Sequence, residues 1–286
     1  MTYHVEMSRR LTLLALLAVS SHAQWLNFPT PGIPRLKDGK PNLSAPVPRA
    51  PGGHPDLSGA WMHDPVSIPD LQRFYGKSFV DDALRTFSPG MELGTQFQYA
   101  FNILLDFPPA TSPLRPAGQE IMRQRAHANT TTTCNIVFGF PLADLLSEPI
   151  KIIQSPRLTA ILYEIDNMHR QIFTDGRPLP GEISFPAYLG YSVGHWEHDV
   201  FVVESAGFND RTPLDLFGHP HSEALRITER YHRRDFGHLD IDTTIDDPVL
   251  YTKPFTIHVP HTLLADADLF EMFCNENEKD AAHMQK

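Results

Sequence analysis

From Pro149 onward the hydrophobic pattern of this chain alternates with a period of two, and that change constrains its fold more than any other feature. The segments Ile150–Gln154, Leu158–Ile165, His169–Thr174, Leu189–Glu197, Val200–Ser205, Glu223–Arg233, His238–Ile245, Phe255–Pro260 and Leu269–Cys274 each read as a short strand. Asp175-Gly176, His198-Asp199 and Phe236-Gly237 stand between strands where tight turns are needed. No helical period separates these segments. A parallel sheet with crossover helices is therefore excluded, since parallel neighbours need long connections. The expected fold is mainly β: an antiparallel meander closed as a barrel or folded as a sandwich.

The chain before Pro149 has a different character. Residues 24–70 are rich in Pro, Gly and small polar residues and read as an extended arm. Within the arm, DGKPNLSAP (Asp38–Pro46) is echoed by GGHPDLSGA (Gly52–Ala60), each copy reading as a turn that leads into a short strand. The second copy runs into Gly59-Ala60-Trp61, a Gly-x-Trp that resembles the first strand of lipocalin-like barrels, where the Trp closes one end. Residues 71–148 read as a small helical cap, with helices over Phe79–Phe87, Met91–Asp106 and Pro116–Ala128 broken by Ser88-Pro89 and Pro108-Pro109. Residues 149–286 make the antiparallel β domain.

Residues 1–23 carry the marks of a secretory signal: Arg9 and Arg10, the apolar run Leu11–Val19, then Ser21-His22-Ala23 before a cleavage point. The expected location is periplasmic or secreted. An apolar run this short cannot cross ~30 Å of hydrocarbon, so stable membrane insertion is not expected. In an oxidising compartment Cys134 and Cys274 are the natural partners of a disulfide. The net charge of −10 argues against a nucleic-acid partner.

Carboxylates recur among apolar alternations. In Glu223–Arg233, Glu229 shares a face with Leu225, Ile227 and Tyr231. Glu164 follows Leu158, Ala160 and Leu162, Glu204 follows Val200 and Val202, and Val193-His195-Glu197 repeats the pattern. If those faces point inward, the acids must be paired or carry raised pKa values. Pairing with Arg170, Arg177 or Arg226 gives a structural network. The functional alternative is a polar-lined cavity, with His195, Glu229 and Glu164 as acid–base candidates and Arg170, Arg177, Glu197, Trp196 and Tyr231 as ligand contacts. His219-Pro220-His221 adds two imidazoles that suit a divalent metal. Gly190-Tyr-Ser192-Val-Gly194 matches the G-x-S-x-G pattern of serine hydrolases, but strand and turn follow it where that motif needs a helix.

The segments PDLSGAW, IKIIQSP, QIFTDGRPLP, GYSVGHWEHDVFVVESAGFNDRT, HSEALRITERYHRRD and TIDDPVLYTKPFT resemble a family of exported, functionally uncharacterised proteins common in Acidobacteria and other soil bacteria. The resemblance implies export and brings no activity with it. Members of that family usually read WEGDTLVVET where this chain has WEHDVFVVES, and many carry Arg at the position of His195. That leaves Glu229 and Glu164 as the sturdier candidates. Two functions stand: a small-molecule-binding barrel with a polar-lined pocket, or an acid–base or metal-assisted hydrolase or lyase acting on a carbohydrate or aromatic.

Overall fold

A computed structural model describes residues 29–86, 98–127, 138–146 and 148–271. Cys134, Cys274, the signal-like segment and the end of the last expected strand lie outside these residues. The nine strands are β1 (Gly59–His63), β2 (Ile150–Gln154), β3 (Leu158–Tyr163), β4 (His169–Phe173), β5 (Tyr191–Glu197), β6 (Val200–Ala206), β7 (Arg226–Arg233), β8 (His238–Asp246) and β9 (Phe255–Leu263). They pair in chain order and close through β1 and β9, so the sheet is a barrel and not a sandwich. Closure removes both sheet edges, which is how an all-β chain avoids unpaired backbone.

One pairing departs from the expected antiparallel meander. Strands β4 and β5 run parallel, with Ile172 opposite Ser192 and Phe173 opposite Val193. Asp175-Gly176 is therefore not a hairpin turn. The physical reason lies in Pro178, Pro180 and Pro186 just beyond it. Proline has no N–H to give a ladder, so the returning chain cannot pair with β4 and instead runs back along the outside. His198-Asp199 and Phe236-Gly237 do make turns between antiparallel strands, and His198 takes the left-handed conformation (φ 56°) that a tight hairpin demands. Residues 269–271 are not in a strand.

The helices are α1 (Ile68–Tyr75), α2 (Lys77–Thr86), α3 (Gln98–Phe101), α4 (Pro116–His127) and α5 (Leu142–Leu145). Ser67 caps α1 by accepting from the Asp70 N–H at 3.2 Å. At the cap end of the barrel, Tyr99, Ile103 and Leu114 pack with Phe208, Leu225 and Tyr251 from the strand connections and with Ile227, Ile245 and Phe255 of the barrel wall. The segment 138–146 goes further. Phe138, Leu142, Ala143 and Leu146 pack against the inward residues Ile161, Ile172 and Val203, so this stretch plugs the barrel instead of covering it. Among the described residues no helix is long and apolar enough to cross a membrane.

The arm straps the opposite end. Its two echoed copies fold alike: Asn42 N–H bonds to the Pro34 carbonyl and Asp56 N–H to the Pro48 carbonyl, at 2.8 and 2.9 Å. Three residues before each copy an Arg ties the arm to the barrel. Arg35 forms a two-pronged bond with Asp266, and Arg49 does the same with Asp199. The second copy then becomes β1. Trp61 is fully buried, its Nε1 donates to the Leu57 carbonyl at 2.9 Å, and the Arg233 guanidinium lies 4.8 Å over its ring. The Trp thus closes this end, as the Gly-x-Trp suggests.

Candidate functional site

Two polar regions emerge from this architecture, one inside the barrel and one at the mouth beneath the arm. The inward face of β7 presents Ile227, Glu229, Tyr231 and Arg233, as its alternation implies. In β3, β5 and β6 the expected sense is reversed. The inward residues are Thr159-Ile161-Tyr163, Ser192-Gly194-Trp196 and Phe201-Val203-Ser205, while Glu204, His195 and Glu197 face solvent. A shift of one residue exchanges the two faces of a strand. Here apolar residues on both faces, and serines that turn inward to meet a buried charge, conceal the true register. Gly194 confirms the sense of β5, because a Cβ there would stand 2.5 Å from Phe201 and 2.9 Å from Ile172.

The charge the serines meet is Arg170. It projects inward from β4 and grips Glu229 with both Nη atoms. Nη2 also donates to Ser205 Oγ at 2.7 Å, and Nε donates to Ser192 Oγ at 3.1 Å. The guanidinium stacks 4.0 Å over the Phe140 ring of the plug. Tyr231 donates to Glu229 Oε1 at 2.6 Å. Burial alone would disfavour the Arg170 charge, but Glu229 more than offsets it and holds the guanidinium pKa well above its usual value. Glu229 is thus an ion-pair partner with both oxygens engaged. Ser192 Oγ accepts from Arg170 and shares a hydrogen bond with Ser205 Oγ at 2.9 Å. The described residues bring no imidazole to Ser192, and it lacks the base a nucleophile requires.

Asp144 of α5 lies 3.8 Å from Arg170 Nη1. One guanidinium then faces two carboxylates. Burial and the Glu229 charge push the Asp144 carboxyl up to about 7. Its Oδ1 and the neighbouring Tyr163 hydroxyl are buried without a partner in good hydrogen-bond geometry among the described residues. A carboxyl whose folded pKa is raised contributes stability that is complete below the ordinary carboxylate range and is lost as pH rises through the folded value. Between about pH 4 and pH 7 Asp144 is therefore expected to cost the fold on the order of 2–4 kcal/mol. Asp144→Asn should remove that part of the pH slope, read by urea unfolding across this window. Unchanged slopes in the two proteins would refute the assignment. His261 acts in the opposite sense: burial and the nearby His63 drive its pKa well below the usual value, so both proteins should lose stability on acidification below about pH 6.5.

The second region is a cleft of about 580 Å³ at the arm end, where β2, β3, β4 and β5 meet the second arm copy. Trp196 and His54 form one wall, stacked with ring centres 4.8 Å apart and planes within 6°. His54 Nδ1 is 3.2 Å from the His198 carbonyl, which anchors the arm side of that stack. Thr159, Thr174, Gly194 and His195 complete much of the lining, and among the described residues no Lys, Arg, Asp or Glu contributes to it. The Thr174 hydroxyl is buried and has no hydrogen-bond partner among the described residues.

The remaining candidates are placed apart from one another. Glu164 lies just beyond β3, where its Oε2 accepts from the Phe270 N–H at 2.8 Å. Arg177 is engaged by Asp175 and Tyr191 on the surface. Glu197 bonds to Arg230 on the outer wall, with His195 Nε2 3.5 Å away. His219 Nδ1 bonds to buried Asp215 at 2.5 Å, whereas His221 pairs with Thr212 and the Ser222 carbonyl. Among the described residues no three His, Cys, Asp or Glu side chains converge as metal ligands. Of the sequence candidates, Arg170, Glu229 and Tyr231 meet in the interior, and His195 and Trp196 meet at the mouth cleft. Asp144, Tyr163 and Ser205 of the first cluster, and His54, Thr159 and Thr174 of the second, carry no signal a single sequence reveals. Comparison with known proteins finds no matching family model, no matching curated protein and no matching solved structure.

Proposed function

We propose that the protein is an exported small-molecule-binding barrel whose ligand sits in the mouth cleft beside Trp196 and not in the barrel interior. The observation that carries this reading is the cleft itself: about 580 Å³ of space with an aromatic wall and, among the described residues, no Lys, Arg, Asp or Glu in its lining. That size lies within the range of small-molecule sites, which combine apolar area with a few placed polar groups. Polar side chains in the lining include His54, Gln154, Thr159 and Thr174, of which the Thr174 hydroxyl has no hydrogen-bond partner among the described residues. A neutral, ring-bearing ligand such as a sugar or a phenol suits them, because an ion would enter without a counter-charge. The interior polar cluster contributes to stability and orientation of the plug.

A thermal-shift panel of neutral sugars and phenols tests the proposal. A ligand at 100 times its Kd should stabilise the protein by about 2.7 kcal/mol, a rise of several degrees in Tm. Trp196→Ala and Thr174→Val should each diminish that rise. A panel in which only charged compounds shift the Tm, or in which both variants respond as the parent does, would count against it.

A further inference from the structure

We propose that Arg233 anchors a second, independent binding site: a cleft under the first half of the arm that takes an organic anion with an apolar body. Among the described residues two arginines are deeply buried, and their surroundings differ in one respect. Arg170 has the whole carboxylate of Glu229. Arg233 is only 4% exposed, yet no carboxylate among the described residues lies within 4 Å of it. Its nitrogens donate instead to the backbone carbonyls of Asp235, Asp56 and Phe236. The two nearest acids are turned elsewhere: Asp56 Oδ1 accepts from the Ser58 N–H, and Asp235 Oδ1 accepts from the Gly237 N–H and lies 2.7 Å from His238 Nδ1. Carbonyl dipoles satisfy part of the five-donor fork but bring no negative charge. A buried cation that no carboxylate touches directly is costly, and a bound anion relieves that cost.

The space for such an anion is present. Arg233 lines a cleft of about 530 Å³ between the arm, β1 and the end of β9. Ile33, Phe236, Leu263 and Leu264 supply an apolar lining; Asp56 and Asp268 also line the cleft, Asp56 with Oδ1 engaged by the Ser58 N–H and Asp268 with both oxygens on the Lys151 ammonium. Burial lowers the Arg233 pKa to about 10, an effect that the nearby charges of Asp56 and Asp235 oppose without reversing, so the group remains charged at neutral pH with no carboxylate in direct contact among the described residues. The chemistry that fits is a carboxylate head at Arg233 with a hydrocarbon body along Leu263 and Leu264. This site shares no lining residue with the Trp196 cleft, so either proposal can fail without the other.

Isothermal titration of the purified protein with octanoate and with 1-octanol provides the test. Octanoate is expected to bind saturably and at least about tenfold more tightly than octanol, since a single charge-assisted bond accounts for a factor of that size. Arg233→Met should erase the difference between the two probes. Because that variant also loses three backbone bonds, Leu264→Trp serves as the second: it fills the cleft, leaves Arg233 in place, and should abolish octanoate binding. Failure of octanoate to bind, equal affinities for the two probes, or undiminished octanoate binding by Leu264→Trp would each overturn the proposal.

Discussion

Arg170→Met is expected to destabilise the protein by about 3–5 kcal/mol, the usual consequence of removing one partner of a buried ion pair. The loss comes less from the missing attraction than from what remains. Glu229 is 0% exposed and would be left beside Asp144 in a low-dielectric interior without its guanidinium partner, with the Tyr231 hydroxyl still donating to it. Glu229→Gln should act in the same direction, leaving Arg170 without a counter-charge. The double replacement Arg170→Met with Glu229→Leu should recover most of the loss, because well-packed apolar residues often substitute for a buried pair at little cost. Urea unfolding of the three variants at neutral pH decides the matter. Single variants within about 1 kcal/mol of the parent would mean that water reaches the pair, as in an exposed ion pair.

Trp61→Ala is expected to cost a further large amount, about 3–5 kcal/mol, the range for removing a buried aromatic ring. Three features converge on this side chain. The ring is fully buried between Leu57 and the barrel wall, its Nε1 holds the Leu57 carbonyl, and Arg233 lies against its face. Arg233 in turn bonds to the Asp56 carbonyl of the arm, so loss of the ring should loosen the arm as well as open a cavity. Limited proteolysis between Thr30 and Gly59 should accelerate in step with the drop in Tm. The same geometry explains the glycine two residues earlier. Gly59 has φ 143°, and a Cβ there would stand 2.6 Å from Leu263 Cδ1, so a Gly-x-Trp at this point meets a steric requirement. A Trp61→Ala variant that melts like the parent would contradict the role assigned to this residue.

The contrast between these two sites shows which parts of the fold a sequence makes legible. Strands β2 to β9 are visible from period-two alternation bounded by turn residues, because both signals are local. Which face points inward is not local. It is clear in β7, where Ile227 and Tyr231 flank Glu229, and obscured in β6, where Val200 and Val202 face outward against a Val203 that faces in. The parallel β4–β5 step was signalled only indirectly, by prolines that forbid the simpler hairpin. Arg170 and Glu229 could be proposed as partners from composition and alternation, but the Asp144 that crowds them arrives on a plug. Nothing in Phe138–Leu146 distinguishes a helix lying on a barrel from one packed inside it. The mouth cleft is half visible for the same reason: His195 and Trp196 lie on a strand that alternation reveals, whereas His54 comes from an arm whose path depends on the Arg49–Asp199 bond.

On the proposed function the ligand occupies the mouth cleft, while the plug and the Arg170–Glu229 ion pair fill the barrel interior. Native mass spectrometry of the protein purified from an exporting host and incubated with the neutral sugar and phenol panel tests it most directly, with Trp196→Ala carried in parallel. The account predicts a one-to-one small-molecule adduct on the parent that is lost or sharply reduced in Trp196→Ala. An adduct equally populated in both proteins, or a parent that stays bare across the whole panel, would contradict it.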